Sequence, residues 1–159
     1  MAHADIYAEL KHDHDKQRDM LKRLDQLSGA ADERRKLLEA FRLEVQSHAA
    51  AEEESLYATM LGNPDLRDEA RHSVAEHKEV DDLLGELLNM EFGSSAWDEK
   101  FAHLRHRYEH HIDEEEEEMF PAADATLDRD KDGYANIEEY LNSVVPLQNV
   151  RPNAGKVKS

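Results

Sequence analysis

Four histidines and two glutamates in this 159-residue chain have the types and spacing to do chemistry. His48 and Glu52, in HAAAE, and His111 and Glu115, in HIDEE, stand four residues apart, which places both side chains of a pair on one face of a helix. Each pair can grip one metal site. A shift of 63 residues carries His14 onto His77, His48 onto His111 and Glu52 onto Glu115. Asp19 then falls on Asp82, Leu21 on Leu84, Leu24 on Leu87, Leu38 on Phe101, Phe41 on Leu104, Val45 on Tyr108 and Tyr57 on Phe120. The pattern is a helical hairpin written twice. Leucine coincidences follow from any shared helical period, so the weight rests on the polar matches and on the common gap of 34 residues between first and second histidine. Four imidazoles and two carboxylates suit two first-row ions bridged by the carboxylates, with coordination positions left open. Two histidines and one carboxylate per ion is the composition of non-haem Fe(II) sites that leave room for O2. Ligand number favours iron; zinc and manganese stay open.

Helices must position these donors. Gly and Pro, only 6 and 4 in number, cluster at Ser28-Gly29, Gly62-Asn63-Pro64, Gly93-Ser94-Ser95 and Pro121, and divide residues 3–120 into four helix-length segments. One face of the first carries Ile6, Leu10, His14, Gln17, Leu21 and Leu24; the second has Leu38, Phe41, Val45, His48, Glu52 and Leu56. The third has Leu66, Ala70, Val74, His77, Val80, Leu84 and Leu87, and the fourth Trp97, Phe101, Leu104, Tyr108, His111, Glu115 and Met119. Every stripe contains a histidine. Short connections favour antiparallel neighbours, so the expected fold is all-α, an up-down-up-down four-helix bundle with a short C-terminal helical extension. Six polar groups turned into such a core would each cost several kcal/mol, roughly, without a partner, and a bound metal pair removes that cost.

Other features are expected to be solvated surface. His12 lies about 160° around the helix from His14, and His103, His106 and His110 share a face roughly 100° from His111. Glu9-x-x-His12 and Glu69-x-x-His72 mimic a ferritin-like Glu-x-x-His but fall out of register with the repeat, and of Glu114 to Glu118 only Glu115 is expected to turn inward. A net charge of −17 with no basic patch disfavours nucleic acid and anionic membranes. With no Cys there is no thiolate site or disulfide. Neither a signal segment nor a run of about 18 apolar residues is present, so a soluble cytoplasmic protein is expected.

His14, His48-x-x-x-Glu52, His77 and His111-x-x-x-Glu115, embedded in KHDHD, SHAAAEEESLY, AEHKE and HHIDEEEEEMFP, resemble the hemerythrin-like or HHE cation-binding domains over about residues 5–122. That resemblance implies a four-helix bundle around an oxo- or hydroxo-bridged pair of Fe ions. The implied ligands are His14, His48, His77 and His111, with Glu52 and Glu115 bridging. The implied activities are O2 carriage or sensing, iron handling, or peroxide and nitric oxide chemistry. Oxygen-carrying hemerythrins have a fifth His four residues before the third-helix His, where this chain has Ser73, and end in HxxxxD rather than HxxxE. Redox, peroxide-handling and sensing roles gain over plain O2 transport. A non-catalytic iron- or zinc-dependent storage or regulatory module is the alternative.

Beyond the bundle, DRDKDGYANIEE at 128–139 places Asp128, Asp130, Asp132, Tyr134, Asn136 and Glu139 at the ligand positions of an EF-hand loop, with Gly133 at its turn. A single Ca2+ site is expected there, or else an Asp-capped helix packing Ile137, Tyr140, Leu141 and Val144 on the bundle. Ala135 stands where such loops carry a large aliphatic, and Pro121 is expected to curtail an entering helix. The expected organisation is a metal-binding domain at 1–122, a calcium loop and helix at 123–145, and a polar tail at 146–159. A calcium-responsive structural protein, with the histidines incidental, is a further reading.

Overall fold

The structure, a computed structural model, describes residues 5–27 and 29–127. The calcium loop expected at 128–139 and the tail after it lie outside the described residues. The elements are α1 (Ile6–Gln26), α2 (Ala31–Glu52), a π-helical turn π1 (Glu53–Tyr57), α3 (Ala58–Leu61), α4 (Arg67–Asn89), α5 (Ser95–Glu114), a second π-helical turn π2 (Glu115–Met119) and α6 (Phe120–Leu127). No strand occurs among the described residues. Because α2, π1 and α3 are continuous, as are α5, π2 and α6, the described residues make four rods.

Local sequence starts and stops these rods. Asp5 caps α1, its carboxylate accepting from the Tyr7 and Ala8 amides at 3.0 and 3.3 Å, and Ser94 caps α5 by accepting from the Trp97 amide at 3.2 Å. Gly29 and Gly93, in the connections before α2 and α5, have φ of +90° and +88°, a region glycine enters without steric cost.

Neighbouring rods run antiparallel, as pairs in inverse order show. Arg34 reaches the Leu24 carbonyl at 3.1 Å while Lys16 meets Glu44 at 2.8 Å across α1 and α2. Across α4 and α5, Trp97 donates to the Leu87 carbonyl at 3.0 Å and Arg107 to Glu79 at 2.7 Å. Arg35 with Leu88 and Gln46 with Asp81 order α2 against α4, and Arg18 with Asp113 and Arg105 with Asp25 order α1 against α5. The expected up-down-up-down bundle is the observed one.

The apolar stripes bury two separate clusters. One, around Leu21, Leu24, Leu38, Phe41, Leu84, Leu87, Trp97, Phe101, Leu104 and Tyr108, fills the half of the bundle nearer the α1–α2 and α4–α5 turns. The other, around Ile6, Tyr7, Leu10, Leu56, Tyr57, Met60, Leu66, Met119, Phe120 and Leu127, fills the opposite end. Each fully buried Leu or Phe contributes about 1.5–3 kcal/mol. Between the clusters lies a polar layer. One stripe residue departs from expectation: Val74 is 37% exposed, and Ser73 and Glu76 take the inward positions around it. No described helix is long and apolar enough to cross a membrane.

The fourth rod also runs further than Pro121 suggests, continuing to Leu127. Proline is harmful where it removes an i→i−4 hydrogen bond. Pro121 sits just after π2, where the ladder changes register from i−5 back to i−4 and is already interrupted.

Candidate metal centre

The polar layer contains all six donors singled out by the repeat. Each rod supplies its share: α1 gives His14, α2 gives His48 and Glu52, α4 gives His77, and α5 with the first residue of π2 gives His111 and Glu115. All six are buried, with Glu52 at 0% and Glu115 at 1% exposure. The His14 and His48 Nε2 atoms lie 3.0 Å apart, and those of His77 and His111 3.1 Å apart. In each half, one nitrogen from each histidine and one oxygen from both carboxylates lie within 4.8 Å of one another.

The two carboxylates divide their oxygens between the halves. Glu52 Oε1 is 3.0 Å from His48 Nε2, and its Oε2 is 3.1 Å from His77 Nε2. Glu115 Oε2 is 3.1 Å from His14 Nε2, and its Oε1 is 3.2 Å from His111 Nε2. Glu52 Oε1 and Glu115 Oε2 are both buried, and beyond these imidazoles no donor reaches them. Anionic oxygens and imidazole nitrogens converging on one volume repel unless positive charge stands between them. In the protein alone, protons are that charge. Burial works against charge on His14 and His77, but the facing Glu115 and Glu52 outweigh it, holding His14 up at about 10 and His77, through Glu52, up at about 9. His48 is raised in the same way by Glu52. Burial would raise Glu52, but His14, His48 and His77 hold it well below the usual carboxylate range. The donors fit divalent metal ions, which deliver the same charge without protons on the Nε2 atoms.

Every imidazole is oriented from behind. The Nδ1 of His48 pairs with Asp13 at 3.0 Å, of His14 with Glu116 at 3.1 Å, of His77 with Glu53 at 2.9 Å and of His111 with Glu76 at 3.3 Å. Nδ1–H donating outward leaves the Nε2 lone pair aimed inward, the arrangement typical of metal-bound histidine. These four carboxylates also obey the repeat, since Asp13 matches Glu76 and Glu53 matches Glu116 at the same 63-residue shift. Glu116 corrects the expectation that Glu115 alone of its run turns inward: it holds His14 and is gripped by Arg18 at 2.9 Å. Sequence reasoning passed over all four. The signal was the repeat itself, extended to the residues flanking the histidines.

Tyr57 was also missed as a site residue. Five residues beyond Glu52, it would lie about 140° away around an α-helix. The π1 turn, directly after Glu52, adds a residue to the turn and brings Tyr57 back over the centre. Its hydroxyl donates to Glu115 Oε1 and lies 3.2 Å from Glu52 Oε2, while its ring stacks on His77 at 5.4 Å. Burial, and then the charges of Glu52 and Glu115, push the phenol well above its ordinary range, so it stays a donor. π2 does the same for Phe120, which stacks on His14 at 5.8 Å and 12° but brings no hydroxyl. The two halves of the centre therefore differ by one oxygen.

The family model described as the hemerythrin HHE cation binding domain matches residues 5–123. The chain belongs to the hemerythrin HHE family. No curated protein and no solved structure matches it. In this HHE domain the buried His/Glu cluster has the donor chemistry of a metal-binding site, and the matched span covers all six donors together with Asp13, Glu53, Tyr57, Glu76 and Glu116. His12, His103, His106 and His110 are exposed, as expected. Ser73, at the position of the fifth His in oxygen carriers, is buried and donates to Met119 Sδ at 3.9 Å.

Proposed function

We propose that the protein is a non-haem diiron protein that binds O2 or a related small oxidant such as peroxide or nitric oxide. His14 and His48 would hold one iron and His77 and His111 the other, with Glu52 and Glu115 shared between them. The observation that supports this most directly is the division of each carboxylate's oxygens between the two histidine pairs. Iron, when bound, would supply the redox chemistry. The chain supplies the rest. Asp13, Glu53, Glu76 and Glu116 fix the imidazole tautomers, the apolar clusters on either side exclude water, and Tyr57 Oη holds a proton against Glu115 Oε1 and beside Glu52 Oε2. Ser73 in place of a fifth histidine leaves the His77–His111 side with fewer nitrogens than an oxygen carrier has, which favours oxidant handling or sensing over transport.

Metal analysis of freshly purified protein and optical spectra under air, under nitrogen and with azide test the reading. About two irons per chain and a near-ultraviolet band that responds to O2 or azide are expected. Zinc and a silent spectrum would instead give the alternative, a metal-dependent storage or regulatory module. For residues 128–139, the spacing of Asp128, Asp130, Asp132, Tyr134, Asn136 and Glu139 supports a weak Ca2+ site, which calorimetric titration detects; absence of heat at millimolar Ca2+ removes it.

A further inference from the structure

The polar layer has an asymmetric approach from the surface. A cavity of about 90 Å³, lined by Glu69, His72, Ser73, Glu114, Glu115, Glu118 and Met119, opens between α4 and π2. Its inner wall includes Glu115, one of the two carboxylates that span the centre, and Ser73, both buried. At its mouth, His72 is exposed, and its Nε2 lies 3.1 Å from Glu76 Oε1 and 3.9 Å from Glu114 Oε2. These three donors lie within 4.8 Å of one another, a third His/carboxylate group separate from the two of the centre. Glu76 Oε1 also faces His111 Nδ1 at 3.3 Å, so one carboxylate oxygen touches both the surface histidine and a donor of the centre. The other Glu76 oxygen is 4.0 Å from Arg107, and His110 approaches Glu114 at 3.7 Å.

The repeat shows that this approach is a departure from symmetry. At a 63-residue shift Glu69, Ser73, Glu114 and Met119 correspond to Ile6, Leu10, Ala51 and Leu56, and Ile6, Leu10 and Leu56 belong to the buried apolar cluster. His72 corresponds to Glu9, so that half carries no imidazole at this place. In one half, then, Ile6, Leu10 and Leu56 close this place with hydrocarbon, and Ser55, the counterpart of Glu118, turns its buried hydroxyl to the Ala51 carbonyl. The other half has a polar cavity that reaches the buried Glu115 carboxylate, with a histidine and acids at its mouth.

We propose that His72, Glu76 and Glu114 form a loading site for a divalent first-row cation, captured at the surface and passed through the Ser73 cavity to Glu115. The proposal rests on the metal-binding reading of the centre. One imidazole and two carboxylates with water completing the shell suit such an ion, and the exposure of His72 makes the site weaker and faster to exchange than the centre. A cleft lined by one sign of charge raises the local concentration of the opposite ion and its on-rate by about 10-fold or more.

The test uses the full metal-free chain titrated with Co2+ under nitrogen, followed by calorimetry and by growth of the visible cobalt bands. Wild type is expected to take up two equivalents tightly and a third more weakly. His72→Ala should lose the third, keep the two, and fill the centre about 10-fold more slowly; Glu114→Gln should behave alike, and His103→Ala, on the exposed stripe of α5, like wild type. The Glu52→Ala variant, with its centre disabled, should still bind one equivalent that disappears in Glu52→Ala/His72→Ala. A third equivalent that survives His72→Ala, or a centre that fills at the wild-type rate without His72, overturns the loading site. Failure of wild type to take up the two tight equivalents overturns the diiron reading instead, and the single His72-dependent equivalent of Glu52→Ala separates the two failures.

Discussion

Replacing His77 by alanine should remove one metal ion and leave the other. His77 Nε2 faces Glu52 Oε2 and His111 Nε2, all in one half of the centre, whereas His14, His48, Glu52 Oε1 and Glu115 Oε2 serve the other half. Glu52, by contrast, gives an oxygen to each half, so Glu52→Ala should empty both. Binding to the folded state alone stabilises it by about 2.7 kcal/mol per ion at a free metal concentration about one hundred times Kd. For a domain of this size each kcal/mol moves Tm by roughly 4 °C. With the surface group removed by His72→Ala, adding Zn2+ should therefore raise Tm by about 20 °C when the centre is otherwise intact, about 10 °C with His77→Ala and not measurably with Glu52→Ala, each compared with its own metal-free form. Calorimetric unfolding with and without metal, alongside metal counting after gel filtration, reads both quantities. If, in that background, His77→Ala keeps two ions or loses both, or Glu52→Ala keeps one, the shared-carboxylate geometry does not govern binding.

Metal uptake at pH 7 should release about two protons, because His14 and His77 are protonated up to about 10 and about 9 and must free their Nε2 atoms to bind; titrations in buffers of different ionisation enthalpy count them, and metal affinity should fall as pH is lowered. Both imidazoles have folded-state values above their ordinary 6.5, so their stabilising contribution to the metal-free protein is complete below that pH and is lost as pH rises through about 9 and then about 10; Tm of the metal-free form should drop over that window while the loaded form holds steady. Asp13→Asn, which takes the anion from behind His48, should weaken metal binding about 10–100-fold, whereas Asp15→Asn, at an exposed ion pair with Arg18, should leave it unchanged. Tyr57→Phe should keep two ions but bind them about 10-fold less tightly, since Glu115 Oε1 loses its buried phenol donor; an affinity equal to wild type would place the hydroxyl outside the workings of the centre.

Much of this protein is legible from one dimension. The four rods follow from apolar stripes at helical spacing and from the glycine and proline breaks between them. The six donors follow from a duplicated pattern, because residues four apart on a helix share a face whatever the helix packs against. The same local geometry is enough to make His12, His103, His106 and His110 surface residues. Where the backbone leaves the α-helical period, that logic fails. The turns π1 and π2 insert a residue beside Glu52 and Glu115, rotating the remainder of each rod by about 100°. Tyr57 and Phe120 thereby move onto the histidine rings, and Glu116 joins the centre from a run of acids that periodicity assigns to solvent.

Contacts between rods were equally beyond a linear reading. Asp13 on α1 orients His48 on α2, Glu76 on α4 orients His111 on α5, and inward placement of Ser73 rather than Val74 opens the cavity that reaches Glu115. The sequence by itself determined which residues could bind a metal and that helices would carry them, since both rest on spacing along one chain segment. Tertiary structure alone decided which imidazole each carboxylate oxygen faces, which rod's acid stands behind each ring and which side of the bundle is open. Those depend on how rods cross and on the register of their turns, and neither is encoded in the period of any single helix.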